Sequence, residues 1–196
     1  MEWIDLPWPD LSPSVRVDIL GIYAYRKPAL RIAVGDTAIA ACTAAAFAEV
    51  GWASAHDGEY LVAAPTGQMA RHILDVDRRP QPHALELGLL LGYPECCART
   101  TAAIGEERID DHATRLGDHC DREQAHHLDP RGYQAGVALV SYVACSPHCS
   151  RAMRHANAAC AYIAQTTAST AVDQEPWITW RRTLNSVLVN GHGAGG

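Results

Sequence analysis

The sequence predicts an α+β fold, a small N-terminal α/β unit over residues 1–80 packed on a mainly helical part over 81–196. Three observations lead there. Short β-branched and aromatic runs alternate with alanine-rich helical stretches in the first eighty residues. From His83 onward the apolar residues read mainly as helices. Between the two lies "RRPQP", Arg78 to Pro82, which interrupts regular structure and marks the boundary. With 196 residues, 48% hydrophobic and 19% charged, the chain has the profile of a globular protein and fits within one ordinary domain.

The elements follow in order. "VRVDILGIYAYR" and "LRIAVG" carry strand-forming residues. "DTAIAACTAAAFAEVG" reads as a helix, with Asp36 as N-cap and Gly51 as its stop. "WASAHDGEYLVAA" reads as a hairpin turned by Asp57-Gly58. "PTGQMARHILDVDR" gives a second helix, "HALELGLLLG" a short apolar one, and "PECCARTTAAIGEE" starts another. The polar stretch Arg108–Pro130 admits two readings, a helix broken at Gly117 or an ordered loop. "GYQAGVALVSYVA" is apolar throughout, so periodicity does not separate a buried helix from a strand. "SPHCSRAMRHANAACAYIAQTTAS" is the clearest helix, and the tail after it contains "WITWRRTLNSVLVNG" and ends in "HGAGG".

Charge and composition weigh against some partners. The net charge is -6, and the sixteen basic residues, a single lysine (Lys27) among them, are scattered, which is not the footprint of a nucleic-acid binder. The acidic start "MEWIDLPWPDLSPS" lacks the charged and apolar regions of a secretory signal. No apolar run approaches the length that spans a bilayer. The expectation is a soluble, cytoplasmic protein with no membrane partner. Its seven cysteines, an odd number, do not form a fully paired disulfide framework, and clustered thiols in a reducing compartment point to metal ligation or redox chemistry.

Four of those cysteines gather in two stretches, Tyr93-Pro94-Glu95-Cys96-Cys97 and Cys145-Ser146-Pro147-His148-Cys149. Each has a proline two residues before a cysteine, and proline favours the first helical position. On that register Cys96 and Cys149 are both third helical residues, Cys97 is one further in and Cys145 lies just outside. Unpaired N–H groups and the dipole at a helix start favour an anion, and the thiolate is the form that binds metals and acts as a nucleophile. Two such starts brought together would assemble four thiolates, a set suited to zinc, iron or an iron–sulfur cluster.

The spacings are not those of common zinc modules, in which Cys-x2-Cys knuckles dominate. Adjacent cysteines on a helix diverge by about 100 degrees, so one of Cys96 and Cys97 could face a site while the other packs in the core. A disulfide between the stretches is a further reading. Cys42 and Cys160, in alanine-rich helices, read as small core residues.

"LGYPECC" followed by "CSPHC" resembles a family known as domain of unknown function 483, whose members pair a GYP-x-CC segment with a downstream PCS-x-x-C-like segment. The matching positions are Gly92, Tyr93, Pro94, Cys96, Cys97, Cys145, Ser146 and Cys149, within about Leu85 to His155. Ala144 stands where the family pattern has proline. The resemblance implies a shared cysteine site and names no reaction.

Other chemistry-bearing residues surround these. His112, His119 and His126 recur every seven residues among Asp110, Asp111, Asp118, Cys120, Asp121, His127 and Asp129, a set able to supply one or two ligands and equally able to be a solvated surface. His148, between Cys145 and Cys149, is either an acid/base partner to a thiolate or a solvent-facing residue. Glu95, at the same offset in the other stretch, is either a favourable charge at a helix start or a catalytic carboxylate. Walker, GxGxxG and GxSxG sequences are absent.

The first expectation is an enzyme acting on a small-molecule substrate. Cys96, Cys97, Cys145 and Cys149 would be its metal or iron–sulfur ligands, and Cys96, Cys149, His148 and Glu95 its catalytic candidates. Two alternatives stand beside it: a metal-free enzyme with a cysteine nucleophile, and a non-enzymatic module with structural zinc.

Overall fold

A computed structural model describes residues 14–80, 83–123, 126–134 and 138–169. The fold is α+β: among these residues seven α-helices accompany one three-stranded antiparallel sheet. The chain divides into two compact units, one built on Lys27–Ala102 and the other on the described residues of Ser12–Arg26 with those from Ala103 on.

In the first unit β1 (Leu30–Ala33), β2 (Ala53–His56) and β3 (Tyr60–Ala64) form the sheet in the order β1-β3-β2. β3 is central, pairing Leu30 with Ala63 on one side and Ala53 with Ala64 on the other. The hairpin closes as the sequence predicts. Asp57 Oδ1 accepts from the backbone N–H groups of Glu59 (2.9 Å) and Tyr60 (2.7 Å), and these bonds hold its carboxyl below the usual carboxylate range.

The helix α2 (Thr37–Glu49) is capped by Asp36, which accepts from Ala38 N at 2.6 Å and Ile39 N at 3.3 Å, and the chain leaves it through Gly51 at φ +80°. Thr66 caps α3 (Gly67–Asp77), whose Ala70, Ile73 and Leu74 cluster with Val62 and Ala64 of the sheet. α4 (Ala84–Leu90) adds Leu87 to that core, and α5 (Glu95–Ile104) follows.

The second unit holds the departures from the sequence reading. "VRVDILGIYAYR" is not a strand but part of α1 (Ser14–Tyr25). Val17 to Gly21 are all buried, without the alternation of a half-buried strand, and packing overrides the β propensity of these residues. α1 packs on α7 (Ser150–Ser169), with Tyr23 stacked on Tyr162 and Tyr25 on His155.

Gly117 does not break the polar stretch, since α6 (Ile109–Glu123) runs through it. Leu116 and Cys120, one turn apart, are buried, which outweighs a glycine cost of about 1 kcal/mol. A β-carbon at Gly117 would stand 2.5 Å from Arg131 Nε, so the glycine leaves room for that side chain. Short 3-10 turns follow at His126–Leu128 and Pro130–Gly132.

In the apolar run before the second cysteine stretch, the described residues 138–144 form neither helix nor strand. They bend irregularly with Leu139, Val140, Ser141 and Tyr142 buried. The tail segments "WITWRRTLNSVLVNG" and "HGAGG" lie outside the described residues.

Candidate metal centre

Local structure explains the Gly-Tyr-Pro that precedes the paired cysteines. At the end of α4 the N–H of Tyr93 donates to Gly88 O (2.8 Å) and that of Gly92 to Leu89 O (3.0 Å), the paired bonds of a Schellman motif. Gly92 takes the left-handed position this requires, φ +81°. Tyr93 follows, with the ammonium of the buried Lys27 5.5 Å from its ring centroid. Pro94 then turns the chain into the next helix.

The register differs by one residue from the sequence reading. Pro94 O accepts from Ala98 N at 3.0 Å and Cys97 N at 2.8 Å, so Pro94 occupies the cap position and Glu95 is the first residue of α5. Cys96 and Cys97 are the second and third. Glu95 is exposed and pairs with Arg99 at 2.7 Å, one turn on.

In the other stretch the shift is larger. Residues 145–148 form bends and turns, Cys149 N donates to Ser146 O (3.2 Å), and α7 begins only at Ser150. Cys149 O accepts from Met153 N at 2.8 Å, which makes Cys149 the cap residue and not the third helical one. Pro147 therefore sits in the turn before the helix. His148 is exposed in that turn.

The Sγ atoms of Cys96, Cys97, Cys145 and Cys149 all lie within 4.8 Å of one another. Among the described residues this is the one group of three or more histidine, cysteine or carboxylate side chains spaced to hold an ion. None of the seven cysteines is in a disulfide. The adjacent cysteines of α5, expected to diverge, both bring their sulfurs to the group. Each stretch contributes one buried thiol, Cys97 or Cys149, and one half-buried thiol, Cys96 or Cys145.

The remaining candidates lie elsewhere. On α6, His112 Nε2 donates to Ala144 O at 3.1 Å, and His119 Nδ1 bonds Arg115 O of its own helix at 2.7 Å. His126 lies beyond the end of α6, so the three-histidine line of the sequence reading does not form. Cys120 is buried in α6. Cys42, read as a core residue, is exposed on α2, while the half-buried Cys160 has its thiol pushed up by burial.

His155 is held inside the second unit, its Nδ1 2.9 Å from Tyr142 Oη and its ring 4.3 Å from that of Tyr25. Burial, and then the charge of Arg154, hold it below the ordinary histidine range. Burial also pushes Tyr25 far above the usual phenol range.

Three residues have supporting roles that a sequence reading does not reach, His112 among them although it stood with the candidate ligands. Lys27 and Pro28 brace the turn before Cys96, and His112 holds the carbonyl just before Cys145. All act across long stretches of chain, where no local pattern signals them. Lys27 is at least conspicuous as the single lysine. Comparison of the chain with protein-family models, curated proteins and solved structures returns no match.

Proposed function

We propose that the chain is a metal-dependent module in which Cys96, Cys97, Cys145 and Cys149 together hold one four-coordinate ion, zinc first and iron second. The observation that carries this is the spacing of the four sulfurs, all within 4.8 Å of one another. A zinc tetrathiolate with Zn–S bonds of about 2.3 Å needs sulfurs roughly 3.8 Å apart, a small contraction. In an iron–sulfur cluster the four thiolates are divided among two or four irons bridged by sulfide, so they do not all stand as close together as four thiolates on one ion. The spacing favours the single ion.

Four thiolates close the coordination shell. Catalytic zinc sites keep one position open for water or substrate, whereas closed sites are structural and contribute folding free energy. The reading is therefore a structural centre, and the segments resembling domain of unknown function 483 are its two halves. Two thiolates at the start of α5 also gain from the positive end of that helix. Glu95 and His148 are not ligands in this reading.

The test is elemental analysis with a visible spectrum, on protein purified without oxygen, beside Cys96→Ser, Cys149→Ser, Glu95→Gln and His148→Ala. Zinc near one per chain, colourless, lost in both cysteine variants and kept in the other two, is the expected result. Iron without acid-labile sulfide gives the second choice of ion. Iron with sulfide would replace the single ion by a cluster. A metal-free protein that keeps its fold would overturn the proposal.

A further inference from the structure

We infer that hydroperoxides open this centre by joining Cys96 to Cys145, an inference that rests on the proposed zinc tetrathiolate. The four thiols are not equivalent. As residues Cys97 and Cys149 are buried, whereas Cys96 and Cys145 are half-buried, one from each stretch. A small oxidant reaches that pair first.

Geometry selects the bond. Adjacent residues across a trans peptide have Cα atoms about 3.8 Å apart, below the roughly 4.4–6.8 Å that disulfides span, so Cys96 does not close on Cys97 within α5. The sulfurs of Cys96 and Cys145 already lie within 4.8 Å of each other.

The chemistry balances with hydrogen peroxide as oxidant. One thiolate attacks the peroxide, the O–O bond breaks, and the sulfur becomes a sulfenic acid as hydroxide leaves. The second thiolate attacks that sulfur and the S–S bond forms as the sulfenic oxygen departs as hydroxide. Two thiolates, one peroxide and two protons give one disulfide and two waters. The sulfurs lose two electrons and the peroxide gains them. The ion keeps two of its four ligands and is released.

The experiment uses the full chain loaded with zinc. Its zinc content is measured first, and hydrogen peroxide is then added in steps with a chromophoric zinc chelator present. Zinc should be released in step with the peroxide consumed, and peptide mapping without reductant should find Cys96 linked to Cys145. Dithiothreitol with added zinc should restore the centre. Cys42→Ser, which removes the exposed thiol of α2, should release zinc with the same peroxide dependence.

Zinc retained at peroxide levels that oxidise Cys42 would overturn the inference and leave the centre standing. Release with any other linkage would overturn the choice of Cys96 and Cys145. A chain that takes up no zinc before peroxide is added would overturn the inference, and one that takes up neither zinc nor iron would overturn the centre with it.

Discussion

A β-carbon at Gly92 would stand 2.4 Å from Cδ of Pro28, so the turn leading into the paired cysteines closes directly against a residue from the start of the first unit. Gly92 also sits at φ +81°. Gly51 shares that conformation at φ +80° but has nothing within 4 Å of the same position. Gly51→Ala should therefore cost only the left-handed backbone, about 1–2 kcal/mol. Gly92→Ala adds an overpacking penalty of about 1–3 kcal/mol, because proline has little freedom to yield. Urea unfolding of both variants measures the difference. Equal losses would mean that the Pro28 contact is not rigid.

The cap of α2 offers a cleaner local test. Asp36 accepts two backbone hydrogen bonds that open the helix. Asp36→Ala removes both and should destabilise by about 1 kcal/mol, and Asp36→Ser should recover most of that. Unfolding midpoints of the three proteins decide it. An unchanged Asp36→Ala midpoint would show that alanine-rich α2 stands on packing alone.

Much of the first unit was legible in the sequence because its signals are local. Asp36, the Asp57-Gly58 turn and Gly51 each act within a few residues, and each acts as read. The second unit was harder. Val15, Val17, Ile19 and Leu20 read as strand formers, but Val17 to Gly21 are buried without alternation, so packing decides their state. Residues 138–144 are buried without regular structure, a condition that hydrophobicity does not distinguish from a helix or strand.

The cysteine group was legible as residue types, and its assembly needed the fold. The helix registers differ from the sequence expectation because proline takes the first helical position at neither start. Pro94 instead supplies the capping carbonyl, and Pro147 lies in the turn ahead of Cys149.

His155 gives stability a pH dependence whose sign follows from burial. Its folded-state value lies below the ordinary 6.5, so on acidification the unfolded chain takes up the proton first. The contribution is fully present above about pH 6.5 and falls as pH drops from there toward the folded value. Denaturation of the wild type and His155→Gln at neutral and mildly acidic pH should show the steeper acid loss in the wild type. NMR titration of the His155 ring should place its midpoint below the ordinary histidine value of about 6.5. A midpoint at or above the ordinary value would remove the argument.

His112 tests how the second cysteine stretch is held. Its Nε2 donates to Ala144 O at 3.1 Å, fixing the carbonyl immediately before Cys145 from the neighbouring helix α6. Outer partners that orient ligands typically contribute 10–100-fold to metal affinity, and this bond acts one residue away, so His112→Ala should weaken zinc about tenfold. Glutamine can place an amide N–H near the position of Nε2, so His112→Gln should recover part of the loss. His119→Ala is the control, since its Nδ1 bonds only within its own helix, to Arg115 O. Competition with a chromophoric chelator measures all three. A general loss of stability would lower the unfolding midpoint without separating glutamine from alanine in zinc affinity. A positioning role separates them, because the carbonyl needs a donor and glutamine supplies one. Equal affinities for the alanine and glutamine variants would show that the Cys145 turn is held by its own packing and not by His112.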